Sequence, residues 1–301
     1  MNSLQANICL MCVTLCWSTE VIIFACIPES VPPFATTCLT SLAGAILLAL
    51  CFFKRIMKEM RRDGSKLVRR CLLLGVLNCT YNVLYLYGLK YFSVSSGAFT
   101  LSMTAVVLPV ILFTLKKEVS VKTWVSAGFV FAGILLAVGN NANVGQFWGA
   151  VLIGSGCIVR AVFIVILNRY SSEDDPISIS VFISGFVGAI SAILWLVMEP
   201  TGFVDLPWNS EIIASLAIYS YFMVAFAQTL NIFAQKKSTP ANATIIYSME
   251  IIFSIIWGTV LPASLIDRTV ITPWIIFGVI MVVLGNLIEI IPSRREKVSE
   301  T

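Results

Sequence analysis

Three ionisable residues lie deep inside apolar stretches of this chain: Glu20, Arg160 and Glu250. Glu20 sits in CWSTEVIIFAC, and no other charge occurs from Asn2 to Ile27. A charged side chain at the centre of a membrane helix costs about 2.5–3.5 kcal/mol on insertion scales, so it needs a partner, a proton or water. The chemistry open to these residues is binding. A carboxylate at Glu20 or Glu250 attracts an ammonium group or a proton. The guanidinium of Arg160 offers a planar fork that matches an oxyanion. A zwitterion engages both signs. The chain has no histidine, so proton exchange, if it occurs, falls to Glu20 or Glu250. Polar side chains repeat nearby at helical spacing. Asn78 and Asn82 form an i, i+4 pair, with Tyr81 and Tyr85 as a second pair; Gln228, Asn231 and Gln235 share one helix face. Trp17 and Tyr247 complete the candidate substrate-binding set. The competing reading is structural: the three charges pair and pin helices together, and the amides hydrogen-bond between helices.

The elements that must hold these residues are membrane spans. Of 301 residues, 58% are hydrophobic and 12% charged, against about 25% charged in soluble domains. Mean hydropathy is +0.92. Crossing a bilayer takes about 20 apolar residues. The pattern predicts ten spans, at 4–27, 34–53, 71–89, 94–115, 122–139, 147–167, 177–198, 210–233, 241–262 and 273–291. The longest connection is Lys54–Arg70, which carries eight basic residues, and no connection has room for a separate domain. The N-terminal run lacks a preceding Lys or Arg and an A-x-A site, so it reads as a retained helix rather than a signal peptide.

Orientation follows from Lys and Arg, which concentrate in cytoplasmic loops. With both termini cytoplasmic, seventeen of the twenty basic residues fall inside. Lys90 and Arg268 fall outside, together with Glu29, Glu199, Asp205, Glu211 and Asp267. Cys9, Cys12 and Cys16 share a helical face, but three thiols without histidine read as packing residues. No metal, cofactor or disulfide is expected, and basic residues confined between apolar spans give no support to nucleic-acid binding.

The two halves of the chain resemble each other. LYLYGLKYFSVSSGAF (84–99) parallels LNIFAQKKSTPANAT (230–244), and KTWVSAGFVFAGILL (122–136) parallels TPWIIFGVIMVVLGNLI (272–288). The offset drifts from about 140 to about 150 residues, as loop insertions allow, and the chain divides at 140/141, with one five-helix repeat in 1–140 and another in 141–301. Five is odd, so the second half enters the membrane from the opposite side, as in many secondary transporters. The expected fold is therefore an all-α integral membrane protein with ten transmembrane helices in two inverted five-helix repeats. Glu20 and Arg160 are equivalent positions of opposite charge. At about 1.5 Å per residue they lie roughly 10 Å from opposite surfaces of the core, flanking the level of Glu250. Ser180, Ser184, Gly188 and Ala192 form a small-residue ladder that reads as scaffold. Glu289, near a helix end, is expected to reach the headgroups.

Three segments carry a family resemblance: LCWSTEVII (15–23), YLYGLKYFSVSSGAFTLSMTAVVLPVI (85–111) and STPANATIIYSMEIIFSIIWG (238–258). In order and spacing they resemble the EamA-type branch of the drug/metabolite transporter superfamily, over nearly the whole chain. The resemblance implies Pro109 in helix 4 and Glu250 as the acid of a Glu-Pro-type pair. It also implies a cavity among helices 1, 3, 4, 6, 8 and 9. The chain departs from the family at Ser18 (usually Gly), Thr40 (near a usual basic residue) and Ile251 (usually Pro), and in the charges at Glu20 and Arg160. The implied activity is secondary active transport of a small polar metabolite across the plasma membrane by alternating access, with export as the expected direction and protons as candidate coupling ion. An amino-acid-like zwitterion is the first expectation; a cationic amine, sugar or nucleoside is the second. The remote alternatives are a non-transporting membrane receptor and a membrane enzyme, the latter needing a nucleophile–base or metal set that these residues do not form.

Overall fold

The computed structural model describes residues 3–28, 30–89, 91, 102–138, 144–199, 202–262 and 271–290. The expected outer charges Glu29, Lys90, Asp267 and Arg268, the basic tail Arg294–Lys297 and the repeat boundary at 140/141 lie outside the described residues, as does the part 92–101 of the motif stretch 85–111.

Regular structure among the described residues is helical throughout. The helices are α1 (Ser3–Ser18), α2 (Glu20–Ala25), α3 (Pro33–Cys51), α4 (Phe53–Leu89), α5 (Thr104–Thr114), α6 (Val121–Val138), α7 (Val144–Glu173), α8 (Pro176–Met198), α9 (Ser210–Tyr219), α10 (Gln228–Gln235), α11 (Pro240–Tyr247), α12 (Glu250–Val260) and α13 (Pro273–Ile290). A π-helical segment, Ser220–Ala227, joins α9 to α10. Among the described residues six stretches are long and apolar enough to cross a membrane: Pro33–Cys51, Phe53–Tyr85, Phe147–Glu173, Pro176–Met198, Ser210–Gln235 and Pro240–Val260. Four shorter apolar helices, Ser3–Ser18, Thr104–Thr114, Val121–Leu136 and Pro273–Glu289, complete the ten expected spans. Leu50, Leu196, Val197 and Val260, each more than 70% exposed, form part of an apolar exterior suited to lipid.

Caps fix several helix starts. Pro176 and Pro240 occupy first-turn positions, where a missing N–H costs nothing. The Asp175 carboxylate accepts from Ser178 N at 3.0 Å, and the Asn209 side chain accepts from Ile212 N at 2.8 Å.

Two expectations need correction. The connection Lys54–Arg70 is not a loop but helix continuous with the third span, interrupted at Asp63 (φ −157°, ψ 53°). Its basic residues divide between exposed positions and an ion-pair cluster on the turn after α7, where Arg55 meets Asp175 at 2.5 Å and Arg70 meets Asp174 at 2.6 Å. Glu289 is buried between helices rather than extended away from the protein. It is 8% exposed and accepts a hydrogen bond from Thr123 Oγ1 at 3.1 Å. Thr123 and Glu289 face each other across the tight α6/α13 pair, which leaves the carboxylate no path outward.

The frame is built from paired helices. α3 packs on α8, α6 on α13, α4 on α7 and α8, α1 on α10 and α11, and α5 on α7. The largest buried cluster joins Leu10, Leu74, Ile164, Ile183, Ile232 and Ile246, one from each of six helices. A second, with Ala105, Val130, Ile245, Ile255 and Val282, ties α5, α6, α11, α12 and α13 together. As the small-residue ladder predicts, α8 is scaffold: a Cβ on Gly188 would lie 2.7 Å from the Leu42 side chain of α3, so only glycine permits that approach.

Candidate functional site

Two spans expected to be continuous are broken where the charges stand. The first stops at Ser18 and restarts at Glu20. The ninth stops at Tyr247 and restarts at Glu250. Each break is a tight turn with i→i−3 bonds: Thr19 N to Cys16 O at 3.0 Å and Ile22 N to Thr19 O at 3.0 Å in the first, Ser248 N to Ile245 O at 3.1 Å and Ile251 N to Ser248 O at 3.2 Å in the ninth. Such 3₁₀ geometry inside a helix marks hinges and strained sites.

A serine shapes each break. Ser18 Oγ donates to Leu15 O at 2.7 Å and accepts from Trp257 Nε1 at 2.9 Å. Ser248 Oγ donates to Ile245 O at 2.6 Å and accepts from Asn286 Nδ2 at 2.9 Å. Bonding back onto its own helix bends the chain there. The N–H arriving from another helix holds the bend in place. Both acids then fall on the first residue of the following helix, where the dipole favours negative charge.

Arg160 lies on α7 and is 8% exposed. Its Cζ is 5.9 Å from the ring centroids of Trp17, Tyr81 and Tyr247 alike. Three π faces therefore stabilise the cation, as rings within about 6 Å do. Among the described residues Arg160 makes no ion pair, although its field reaches both Glu20 and Glu250. A ring stabilises the charge without taking N–H donors, so the fork stays available to an incoming oxyanion.

Hydrogen bonds fix the cage walls. Asn82 Nδ2 donates to Asn78 Oδ1 at 2.9 Å, and Asn78 Nδ2 donates to Tyr81 OH at 3.2 Å. Tyr247 OH donates to Asn231 Oδ1 and accepts from Gln235 Nε2 at 3.0 Å. The rings of Trp17 and Tyr247 meet at a tilt of 54°, with centroids 5.2 Å apart. The expected residues thus form one constellation: Trp17, Tyr81, Arg160 and Tyr247 at the cage, Glu20 and Glu250 within its field, and Asn78, Asn82 and Asn231 behind the tyrosines. Gln228 is not joined to it by any hydrogen bond, and its Nε2 is buried without a partner.

Tyr219 belongs to the site and was not among the expected residues. Its OH donates to Glu20 Oε1 at 2.7 Å. The amide stripe of the eighth span could not point to it. At 3.6 residues per turn, Tyr219 stands half a turn out of phase with Gln228. The π segment between them removes that phase relation. A phenol in mid-span is the signal the sequence does carry.

Residues 4–139 match the EamA-like transporter family. A relative from Archaeoglobus fulgidus, described as an uncharacterized transporter, is 23% identical over 288 residues, which cover 95% of this chain and 85% of the relative. The uncharacterized transporter YyaM of Bacillus subtilis is 23% identical over 263 residues, covering 82% of this chain and 80% of the relative. One solved crystal structure, at 16% identity, superimposes with a TM-score of 0.75 over 99% of this chain and 100% of its own length, which speaks to the fold alone.

Proposed function

We propose that this chain, whose residues 4–139 match the EamA-like transporter family, is a multi-pass membrane transporter of the EamA type rather than an enzyme, and that its cargo is a small zwitterion, an amino acid or a close relative. The observation that carries this reading is the aromatic-caged guanidinium of Arg160, without an ion-pair partner among the described residues, in the field of two carboxylates. A substrate carboxylate takes the fork of Arg160, and its ammonium group takes Glu20 or Glu250. The remaining acid is then free to carry a coupling proton.

The mechanism we assign is alternating access between two inverted five-helix halves, 1–140 and 141–301. The packing supports it. If helix n of one half corresponds to helix n+5 of the other, the contact of the first span with the eighth is equivalent to that of the third with the sixth. The second–seventh and fifth–tenth pairs then map onto themselves. Breaks in the first and ninth spans supply bending points beside the bound cargo. The charge bias supports a plasma-membrane protein with both termini cytoplasmic, and the family resemblance implies export.

A second reading, a cationic amine, is favoured by the excess of two carboxylates over one guanidinium. Thermal stabilisation of the purified protein by zwitterionic, cationic and neutral sugar pools separates the two. We expect stabilisation by zwitterions, lost in Arg160→Met. Stabilisation by amines that survives Arg160→Met selects the second reading, and stabilisation by sugars alone removes both.

A further inference from the structure

Far from the central charges, the stretch 53–62 of α4 separates its side chains by chemistry. Lys54, Lys58 and Arg61 lie within about 60° of one another around the helix axis at 3.6 residues per turn. All three are exposed, and none makes an ion pair among the described residues. Phe53 and Met57 flank them, 61% and 37% exposed, and line an open groove together with the three cations. The opposite side of the same stretch is anchored to the protein: Ile56 is 7% exposed, and Arg55 pairs with Asp175 at 2.5 Å. The anchor holds the helix so that its cationic groove faces away from the bundle, immediately beside the end of the second span at Cys51.

We propose that this groove binds an anionic phospholipid, with the headgroup phosphate on Lys54, Lys58 and Arg61 and the glycerol and upper acyl chain on Phe53 and Met57. Charge complementarity and position choose this occupant. Clustered basic residues next to a membrane helix attract anionic lipid, and the apolar shelf beside them matches the glycerol–acyl boundary that an interfacial helix occupies. A soluble anion would leave Phe53 and Met57 in water. Among the paired basic residues of this segment, Arg55, Lys66 and Arg70 point instead to the acidic turn at Glu173–Asp175, and Arg62 pairs with Glu59.

The test is native mass spectrometry of the full-length protein with phosphatidylglycerol and with phosphatidylcholine. We expect retained phosphatidylglycerol adducts, no matching phosphatidylcholine adducts, and a loss of at least about tenfold in affinity when Lys54, Lys58 and Arg61 are all changed to Gln. Changing Phe53 and Met57 to Ser should weaken the same adduct. Removing the same charge elsewhere, by changing Lys116, Lys117 and Lys122 to Gln, should leave it unchanged. Melting temperatures in detergent establish that each variant is folded. Equal loss in the two charge-removed variants means general attraction without a site, and overturns the proposal. So does displacement of the lipid by glycerol phosphate alone, which makes the occupant a soluble phosphate ester.

Discussion

The helix pairs α3/α8 and α6/α13 and the broken spans α1/α2 and α11/α12 use small residues in opposite ways. In α8, Ser180 and Ser184 are 0% and 4% exposed, and the helix runs without interruption from Pro176 to Met198. Their size lets backbones approach, and Ser180 merely accepts from Thr229 at 2.8 Å. In α13 and α6 the approach is closer still: a Cβ on Gly133 would lie 2.6 Å from the Gly278 carbonyl. Ser18 and Ser248 instead turn onto their own helices and break them. Ser180 and Ser184 sit in a helix that stays regular around them, whereas Ser18 and Ser248 each take an i−3 carbonyl at a break two residues before an acid. The molecule thus combines a frame of closely paired, uninterrupted helices with spans that are interrupted at the charges.

The sharpest test of that division is Arg160. Arg160→Met removes the cage's cation, and truncating one partner of a buried charge interaction costs about 2–5 kcal/mol, or roughly 30-fold and more in affinity. We expect transport to be abolished while the protein remains folded, since three rings and their hydrogen bonds keep the walls in place. Arg160→Lys should recover little, because a point charge lacks the fork. If a Glu20→Gln/Arg160→Met double variant transports again, the charges only pin helices, and the centre is scaffold too.

Glu250→Gln is the next largest. If Glu250 carries the coupling proton, the variant loses proton-driven accumulation in liposomes and keeps substrate exchange. Joint loss of both activities assigns Glu250 to the substrate itself. Unchanged activity removes it from the site.

On the frame, Gly133→Val should cost about 1–3 kcal/mol, the usual penalty of overpacking. It should be read as a lower melting temperature in detergent with transport per folded molecule unchanged. Loss of transport in the folded protein would place α6/α13 among the moving parts and dissolve the contrast.

Much of this arrangement is legible in the sequence because bilayer physics is strict. Apolar length reveals the spans, and a charge inside one stands out whatever its partners: Glu20, Arg160 and Glu250 needed no structure to be singled out. The ladder Ser180–Ala192 also reads correctly, since spacing of four is a contact pattern. What the sequence hides is where a helix departs from regular winding. Ser18 and Ser248 look like any other small residue of a span, and the partners that hold the bends, Trp257 and Asn286, are 239 and 38 residues away. Tyr219 is hidden for the same reason, because a helical wheel assumes the winding that Ser220–Ala227 abandons. Glu289 was misread through distance along the helix alone, without the neighbour Thr123 that retains it.

The smallest expected effect on stability bears most directly on the hinges. Ser248→Ala removes one interhelical hydrogen bond, worth about 0.6 kcal/mol in membrane proteins, so the melting temperature should barely move. The bend is another matter. Without the Oγ bond to Ile245 O, the ninth span has less reason to turn at residue 248, and Asn286 loses the contact that links α13 to the bend. Glu250, two residues on, would then shift relative to Arg160. Because the acid's contribution depends on its placement, we expect transport to fall several-fold despite near-wild-type stability, and Ser248→Thr, which keeps the hydroxyl, to restore most of it. Ser180→Ala is the matched control on α8: it also removes one hydrogen-bonded hydroxyl, from a helix that does not bend, and should leave transport intact. Equal effects of the two alanine variants would mean that the break at Ser248 is no more a hinge than the frame is.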